Sequence, residues 1–298
     1  MKNFVKYVLI LAIATIGLSY CFDILYTNMY YSETIRSKIS WVKSDQFPDS
    51  LDYVLLGSSR SIHHLQPELI DSITKLNGLN LGYPASGPVE IKLMLNEILK
   101  TCKVKKVFVQ VDHQYNDTLP DELAIVSWMP YIKEDDVYNE IKKYNNDYYY
   151  HRHIPFYRYQ VYGPKIGFRN LSLIVSGKES DFIKTKGYIP LSKILENDTS
   201  FSVNMNDNQN RIFDEITDLC MKHNIEINFY TAPIYNNNVE FGPLKEHLPR
   251  YTDLSNSIME KALFSDASHL NHQGATLFTK IFIQEFFNPS LSHDSLPD

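Results

Sequence analysis

Three residues far apart in the chain have the types that could do chemistry together. Ser59 stands in the stretch Asp52-Tyr-Val-Leu-Leu-Gly-Ser-Ser-Arg-Ser61, and Asp266 and His269 stand in Phe264-Ser-Asp-Ala-Ser-His-Leu-Asn-His-Gln-Gly-Ala275. A serine hydroxyl is a weak nucleophile until a base takes its proton. Imidazole does this best when a carboxylate holds its other nitrogen. The spacing Asp266-x-x-His269 in a loop lets both side chains turn to one side. Acyl chemistry also needs N–H donors for a developing oxyanion. The amide of Ser59, with Ala85 and Gly87 from Leu79-Asn-Leu-Gly-Tyr-Pro-Ala-Ser-Gly-Pro88, can supply them. The plain alternative makes the serine a helix cap, Asp266 a turn residue and His269 a satisfied rim histidine.

Tyr53 to Leu56 form a short apolar run ended by Gly57, the pattern of a buried strand entering a tight turn. Such strands belong to parallel sheets covered on both faces, whose sites lie beyond the carboxyl ends of the strands. Arg60 to Thr74 reads as a helix broken at Pro67, and Leu79 begins a short strand. Val89 to Thr101 is an amphipathic helix through Ile91, Met94, Leu95, Ile98 and Leu99. Lys106 to Asp112 is a second long strand. Asn204 to His223 reads as a helix with Ile212, Phe213, Ile216 and Cys220 on one face, and Glu226 to Ile234 as a strand. A loop and helix run from Asn237 to Leu263. Asn271 to Phe287 closes the chain as a helix burying Leu277, Phe278, Ile281, Phe282 and Phe286. Alternating strands and helices mean a mainly parallel sheet with helices on both faces.

Between about 115 and 195 the alternation fails. The segment holds Trp128 and a tyrosine-rich run from 144 to 162, and reads as a helical insertion over the sheet ends. Its aromatics, Tyr148 and Tyr149 among them, suit either a sugar-stacking cleft or a small core of the insertion. Arg60 is placed to meet an anionic substrate group or an internal carboxylate. His63 and His64, close after the serine, are substrate-binding candidates or helix-surface residues. His151 and His153 have no carboxylate or cysteine cluster beside them, so no metal or other cofactor is expected.

The run from Tyr7 to Phe22 carries no charge and, with its flanks, approaches the roughly 20 residues of a membrane span. Lys2 and Lys6 favour a cytoplasmic N-terminus, with the remainder extracytoplasmic. An uncleaved anchor is the preferred reading over a cleaved signal peptide, because Gly17 and Ser19 match a cleavage site poorly. A lipid attached at Cys21 would want a small residue where Tyr20 stands. The expected layout is an anchor at 1–26, a connection at 27–49, a domain at 50–290 with its insertion, and a tail at 291–298. The net charge of −6 argues against a nucleic-acid partner. Cys102 and Cys220 read most simply as buried thiols.

Gly57-Ser58-Ser59 after the first strand, Asn80-Leu-Gly-Tyr-Pro-Ala-Ser-Gly87, and Asp266-x-x-His269-Leu-Asn before the last helix resemble, in that order, the SGNH/GDSL hydrolase superfamily. The resemblance implies a flavodoxin-like three-layer α/β/α sandwich that handles esters, with Ser59 as nucleophile, His269 as base and Asp266 as its orienting acid. Ser58 stands where the family often has Asp, and Ala85 where it usually has Gly. The family's Gly-x-Asn-Asp turn corresponds to Asp112-His-Gln-Tyr-Asn-Asp117, where Asn116, or Gln114, takes the place of the oxyanion amide. With the anchor, the layout resembles SGNH-type proteins that accompany membrane-bound O-acyltransferases in modifying surface polysaccharides. The expected activity is ester hydrolysis or O-acyl transfer on an acylated glycan. The alternatives are a non-catalytic accessory protein that binds glycan or a membrane-bound acyltransferase, and an esterase directed at lipid.

Overall fold

The computed structural model describes residues 1–197 and 202–287, so the tail expected at 291–298 lies outside the described residues. In chain order the elements are α1 (Lys2–Tyr30), α2 (Lys38–Val42), β1 (Ser50–Leu56), α3 (Ser59–His64), α4 (Pro67–Thr74), β2 (Gly78–Asn80), α5 (Pro88–Thr101) and β3 (Lys103–Gln110). Five short helices follow: α6 (Asp135–Ile141), α7 (Tyr148–His153), α8 (Tyr157–Val161), α9 (Gly163–Ile166) and α10 (Phe168–Val175). The chain then forms α11 (Arg211–Lys222), β4 (Glu226–Thr231), α12 (Gly242–His247), β5 (Tyr251–Asp253) and α13 (His272–Phe286). Two compact units result. One joins Met1–Phe47 to Glu122–Ser180, and the other joins Pro48–Asp121 to the chain from Asp181 onward.

The second unit is an α/β layer structure. Its five strands are all parallel in the order β2-β1-β3-β4-β5. The order reverses between β1 and β3, so the connections leaving their carboxyl ends run to opposite faces of the sheet, the arrangement that leaves a crevice between them. Adjacent residues of β4 show that both faces are covered. Tyr230 packs on Phe282 of α13, with ring centroids 5.1 Å apart, and its neighbour Phe229 packs on Phe213 of α11 at 5.9 Å. Successive strand residues point to opposite faces, so α13 and α11 lie on opposite sides of the sheet. The α13 side carries the core of Tyr53, Leu55, Phe108, Tyr230, Phe278 and Phe282.

The elements follow from local chemistry. Pro67 divides the helix expected over 60–74 and serves as the first residue of α4, where its missing N–H has no cost. Asn210 caps α11 by accepting the Ile212 N–H at 3.0 Å, so that helix starts at Arg211 and not at Asn204. On α13 the buried face is Ala275, Phe278, Thr279, Phe282 and Ile283, and Leu277, expected inside, faces out. Strand β5 has no apolar run to announce it; Tyr251 and Thr252 are only partly buried and Asp253 is exposed.

In the first unit, α1 is long and apolar enough to cross a membrane, with a mean hydropathy of 2.2 over its most apolar window. Its 29 residues span about 43 Å at ~1.5 Å per residue. The helix continues unbroken to Tyr30, and its last two turns pack against the inserted segment. Tyr26 meets Phe156 edge-on at 4.9 Å, and Tyr30 stacks on Tyr159 at 6.2 Å. Asp23 is buried and ion-paired to the fully buried Arg158 at 2.8 Å, with Lys133 as a second partner. Arg158 also donates to Thr27 Oγ1 at 2.7 Å.

Candidate active site

Ser59 is the first residue of α3, immediately beyond the turn that ends β1. Gly57 makes the turn with φ +135°, and a Cβ there would sit 2.7 Å from the Cβ of Gln110, so no other residue fits without a shift. Ser58 caps α3 by accepting the Arg60 N–H at 3.3 Å. Its own hydroxyl donates to Gln110 Oε1 at 2.7 Å, and its amide donates to the same oxygen at 3.1 Å. The end of β3 therefore holds the backbone just before Ser59.

The structure brings Ser59, His269 and Asp266 together. Ser59 Oγ lies 2.8 Å from His269 Nε2. His269 Nδ1 lies 2.9 Å from Asp266 Oδ2 and 3.0 Å from Oδ1. A carboxylate at Nδ1 can only accept, so the ring proton belongs there and the Nε2 lone pair faces the serine hydroxyl. Burial works against charge on Asp266, but hydrogen bonds from His269 and Ser268 outweigh it and hold the carboxyl well below its ordinary range. The loop is braced by its own backbone: Phe264 and Leu270 form an antiparallel bridge, and the Ser265 N–H donates to the His269 carbonyl at 2.7 Å. Such a constellation can take a proton from a serine hydroxyl and stabilise the imidazolium that forms.

The loop after β2 lies beside this site. Tyr83 donates its N–H to the Gly57 carbonyl at 2.9 Å. Asn80 is fully buried and ties the loop to α3, donating to the carbonyls of Ser61 at 2.7 Å and Leu65 at 3.1 Å while accepting from the Gly82 amide. Ala85 has φ +59°, a left-handed conformation that costs a residue with a Cβ about 1–2 kcal/mol. The amides of Ser59 and Ala85 have no partner among the described residues. Gly87 differs, because its N–H donates to Glu90 Oε2 at 3.0 Å.

Both side chains considered for the third oxyanion donor make hydrogen bonds elsewhere. Asn116 Nδ2 donates to the Asn204 carbonyl at 2.9 Å and its Oδ1 accepts the Asn206 N–H, so this amide staples a loop. Gln114 is buried and donates to the Gln110 carbonyl at 3.0 Å. Arg60 is also committed inward. It is buried, ion-paired to the fully buried Asp112, and donates to the carbonyls of Ala232 and Pro233. Its alternative as a contact for an anionic substrate group is thereby set aside in favour of the internal carboxylate. Burial opposes charge on Asp112, but Arg60 and then His113 outweigh it and keep the carboxyl well below its ordinary range.

His63 stands at the site. Its ring meets that of His269 edge-to-face, with centroids 5.5 Å apart, and its Nδ1 lies 2.7 Å from the Ile189 carbonyl. Tyr148 and Tyr149 belong to the other compact unit, on α7, where Tyr148 is buried and Tyr149 exposed. Cys102 and Cys220 are buried free thiols. Asp207, Glu246 and His247 gather within ligand-atom distances of 4.8 Å, largely exposed, and none of them belongs to the serine site.

Sequence reasoning missed Gln110, Asp112 and Asn80 as parts of the site, and it read His64 with His63 as a substrate-binding or helix-surface residue, whereas the His64 ring is fully buried. Gln110 and Asp112 had a signal: one polar residue ending a strand that otherwise turns apolar toward its carboxyl end, and another two positions on. Neither a protein-family model nor a curated protein matches the chain.

Proposed function

We propose that this chain is a serine esterase or O-acyltransferase of the SGNH/GDSL type, held at a membrane by α1. The observation that carries the reading is the contact of Ser59 Oγ with His269 Nε2 at 2.8 Å, backed by Asp266 on Nδ1. The strand order, which is that of flavodoxin-like sheets, and the placement of Ser59 at the crevice between β1 and β3 support it further.

The reaction follows from the geometry. Ser59 Oγ attacks the acyl carbonyl carbon as its proton passes to His269 Nε2. The carbonyl oxygen takes the negative charge, with the amides of Ser59 and Ala85 as its donors. The tetrahedral species collapses, the C–O bond to the alcohol breaks, and His269 returns the proton to the leaving oxygen. Water or a sugar hydroxyl then gives its proton to His269 and attacks the acyl carbon; the bond to Ser59 Oγ breaks as His269 returns the proton to that oxygen, which yields deacylation or transfer and restores the free serine. Asp266 stays ionised and offsets the imidazolium charge in both halves. An acylated envelope glycan is the substrate class that fits the resemblance together with an extracytoplasmic placement, in which Lys2 and Lys6 keep the N-terminus in the cytoplasm.

A second reading has its own observation. The side-chain amides of Gln114 and Asn116 are both engaged elsewhere. Losing one oxyanion donor costs about 10²–10³ in rate, and a chain that kept the fold as a glycan-binding accessory would tolerate that loss.

The full chain in detergent, treated with a serine-directed fluorophosphonate and mapped by mass spectrometry beside Ser59→Ala and His269→Ala, tests the reading. Label on Ser59 that vanishes in both variants is expected. A folded wild-type chain that takes no label favours the accessory.

A further inference from the structure

We infer that His64 is a positioning residue for this site: a buried neutral imidazole whose Nε2 accepts the Leu270 N–H and so fixes the loop carrying His269 against the helix carrying Ser59. The inference rests on the proposed reading of Ser59, His269 and Asp266 as a reactive site.

His64 is the last residue of α3, the helix that begins at Ser59. Its ring is fully buried, and Leu270 N donates to its Nε2 at 3.0 Å. Leu270 directly follows His269 and is itself fully buried. Its flanking residues use backbone partners, Asn271 N to the Leu263 carbonyl and the His269 carbonyl to Ser265 N. The Leu270 N–H is served by His64 instead. Without that acceptor a buried amide would be stranded, and the loop would gain by turning the amide toward water. That turn would move His269, the next residue back.

The acceptor role requires a bare Nε2, so the ring must be neutral with its proton on Nδ1. The surroundings favour the neutral ring, and the Leu270 N–H at Nε2 selects the tautomer. Burial lowers the His64 pKa well below its ordinary value, and Arg60, His269 and His63 push the same way, against the Ser268 backbone. His64 and His269 meet edge-to-face with centroids 6.2 Å apart, and Phe278 of α13 contacts the His64 ring with the same separation. The backbone of His64 is tied to α13 as well, through the Thr279 hydroxyl on its carbonyl at 3.4 Å. One residue thus links the nucleophile's helix to the base's loop and to the helix that follows the loop.

The full chain in detergent provides the test, with His64→Gln retaining an acceptor and His64→Phe retaining only ring volume. Three quantities are read: the rate of fluorophosphonate labelling at Ser59, exchange protection of the Leu270 amide, and the nitrogen-15 shifts of His64 in the wild type. Expected are a bare Nε2 on His64, and labelling slowed by about 10–100-fold in His64→Phe with Leu270 unprotected. His64→Gln should recover most of the rate and the protection. A protonated Nε2, or equal loss in both variants, overturns the inference, as does His64→Phe labelling at the wild-type rate. The nitrogen shifts need no variant and decide the matter if His64→Phe does not fold. A wild-type chain that takes no label while Leu270 protection still follows the acceptor would remove the proposed reactivity and leave the brace in place.

Discussion

Arg60 and Asp112 form an ion pair that water does not reach, the first residue one position past Ser59 and the second just beyond the end of β3. The pair joins the start of α3, just after β1, to the segment that leaves β3, the two connections that flank the crevice. Removing one partner of such a pair leaves an uncompensated buried charge, which costs about 3–5 kcal/mol. Arg60→Met should therefore destabilise the chain by roughly that amount, while Arg60→Met with Asp112→Leu should recover part of it. Urea unfolding followed by the near-ultraviolet signal of the buried aromatics measures both. A loss below about 1 kcal/mol in the single variant would falsify the assignment of the pair as the tie between β1 and β3.

Asp266 orients His269 through Nδ1, so Asp266→Asn should leave the fold intact and slow fluorophosphonate labelling by about 10²–10⁴-fold. The amide can donate to Nδ1 and thereby favour the tautomer with its proton toward Ser59. Ser268 also touches both partners, its hydroxyl 3.1 Å from His269 Nδ1 and 3.0 Å from Asp266 Oδ1. Because the carboxylate alone fixes the tautomer, Ser268→Ala should change the labelling rate by less than about tenfold, in keeping with one modest hydrogen bond. Equal effects of the two substitutions would place the orienting role on the hydroxyl.

Glu90 gives the chain a pH dependence of known sign. Its carboxylate accepts the amides of Gly87 and Asp121, each at 3.0 Å, yet burial dominates and pushes its pKa from the ordinary 4.5 up to about 8. Between those values the folded state holds a proton that the unfolded state has released, so stability falls as pH rises across that window. Glu90→Gln, which keeps an acceptor and cannot ionise, should flatten that decline. Denaturation midpoints from pH 5 to about 8 for the two proteins report it; parallel curves would mean that Glu90 is ionised throughout.

Asp23 is the first charge after Lys6, and it is buried against Arg158. Asp23→Asn should loosen the packing of α1 on the inserted segment by about 3–5 kcal/mol. Hydrogen exchange of the full chain in detergent should show amides of α8 losing protection, with β1 and β3 unchanged. Loss spread evenly over both units would contradict a role confined to the first.

The parts of the fold that could be read in advance are those with a local physical signature. Tyr53 to Leu56 ended by Gly57, the Pro67 break, and the helical stripe of α5 each express one short-range rule: burial of an apolar run, a missing N–H, a period of 3.6. The site was legible for a similar reason. The Asp266-x-x-His269 spacing is local, and Ser59 follows a strand end. What escaped was set by distant partners. Strand β5 is too short and too exposed to carry a pattern, and exists because β4 offers it an edge.

The sequence by itself determined the inventory: a serine after a buried strand, a histidine and carboxylate in one loop, an apolar helix at the start, and alternating strands and helices. Tertiary structure alone decided which polar groups were spent internally. Arg60 turned inward because Asp112 emerges from the neighbouring strand, and Asn116 and Gln114 were taken by backbone carbonyls. His64 became an acceptor because the loop of His269 returned to the helix of Ser59 from 206 residues away. A side chain's type fixes the bonds it can make, but its partner is fixed by burial and by the long-range pairing of the chain, which no local spacing encodes.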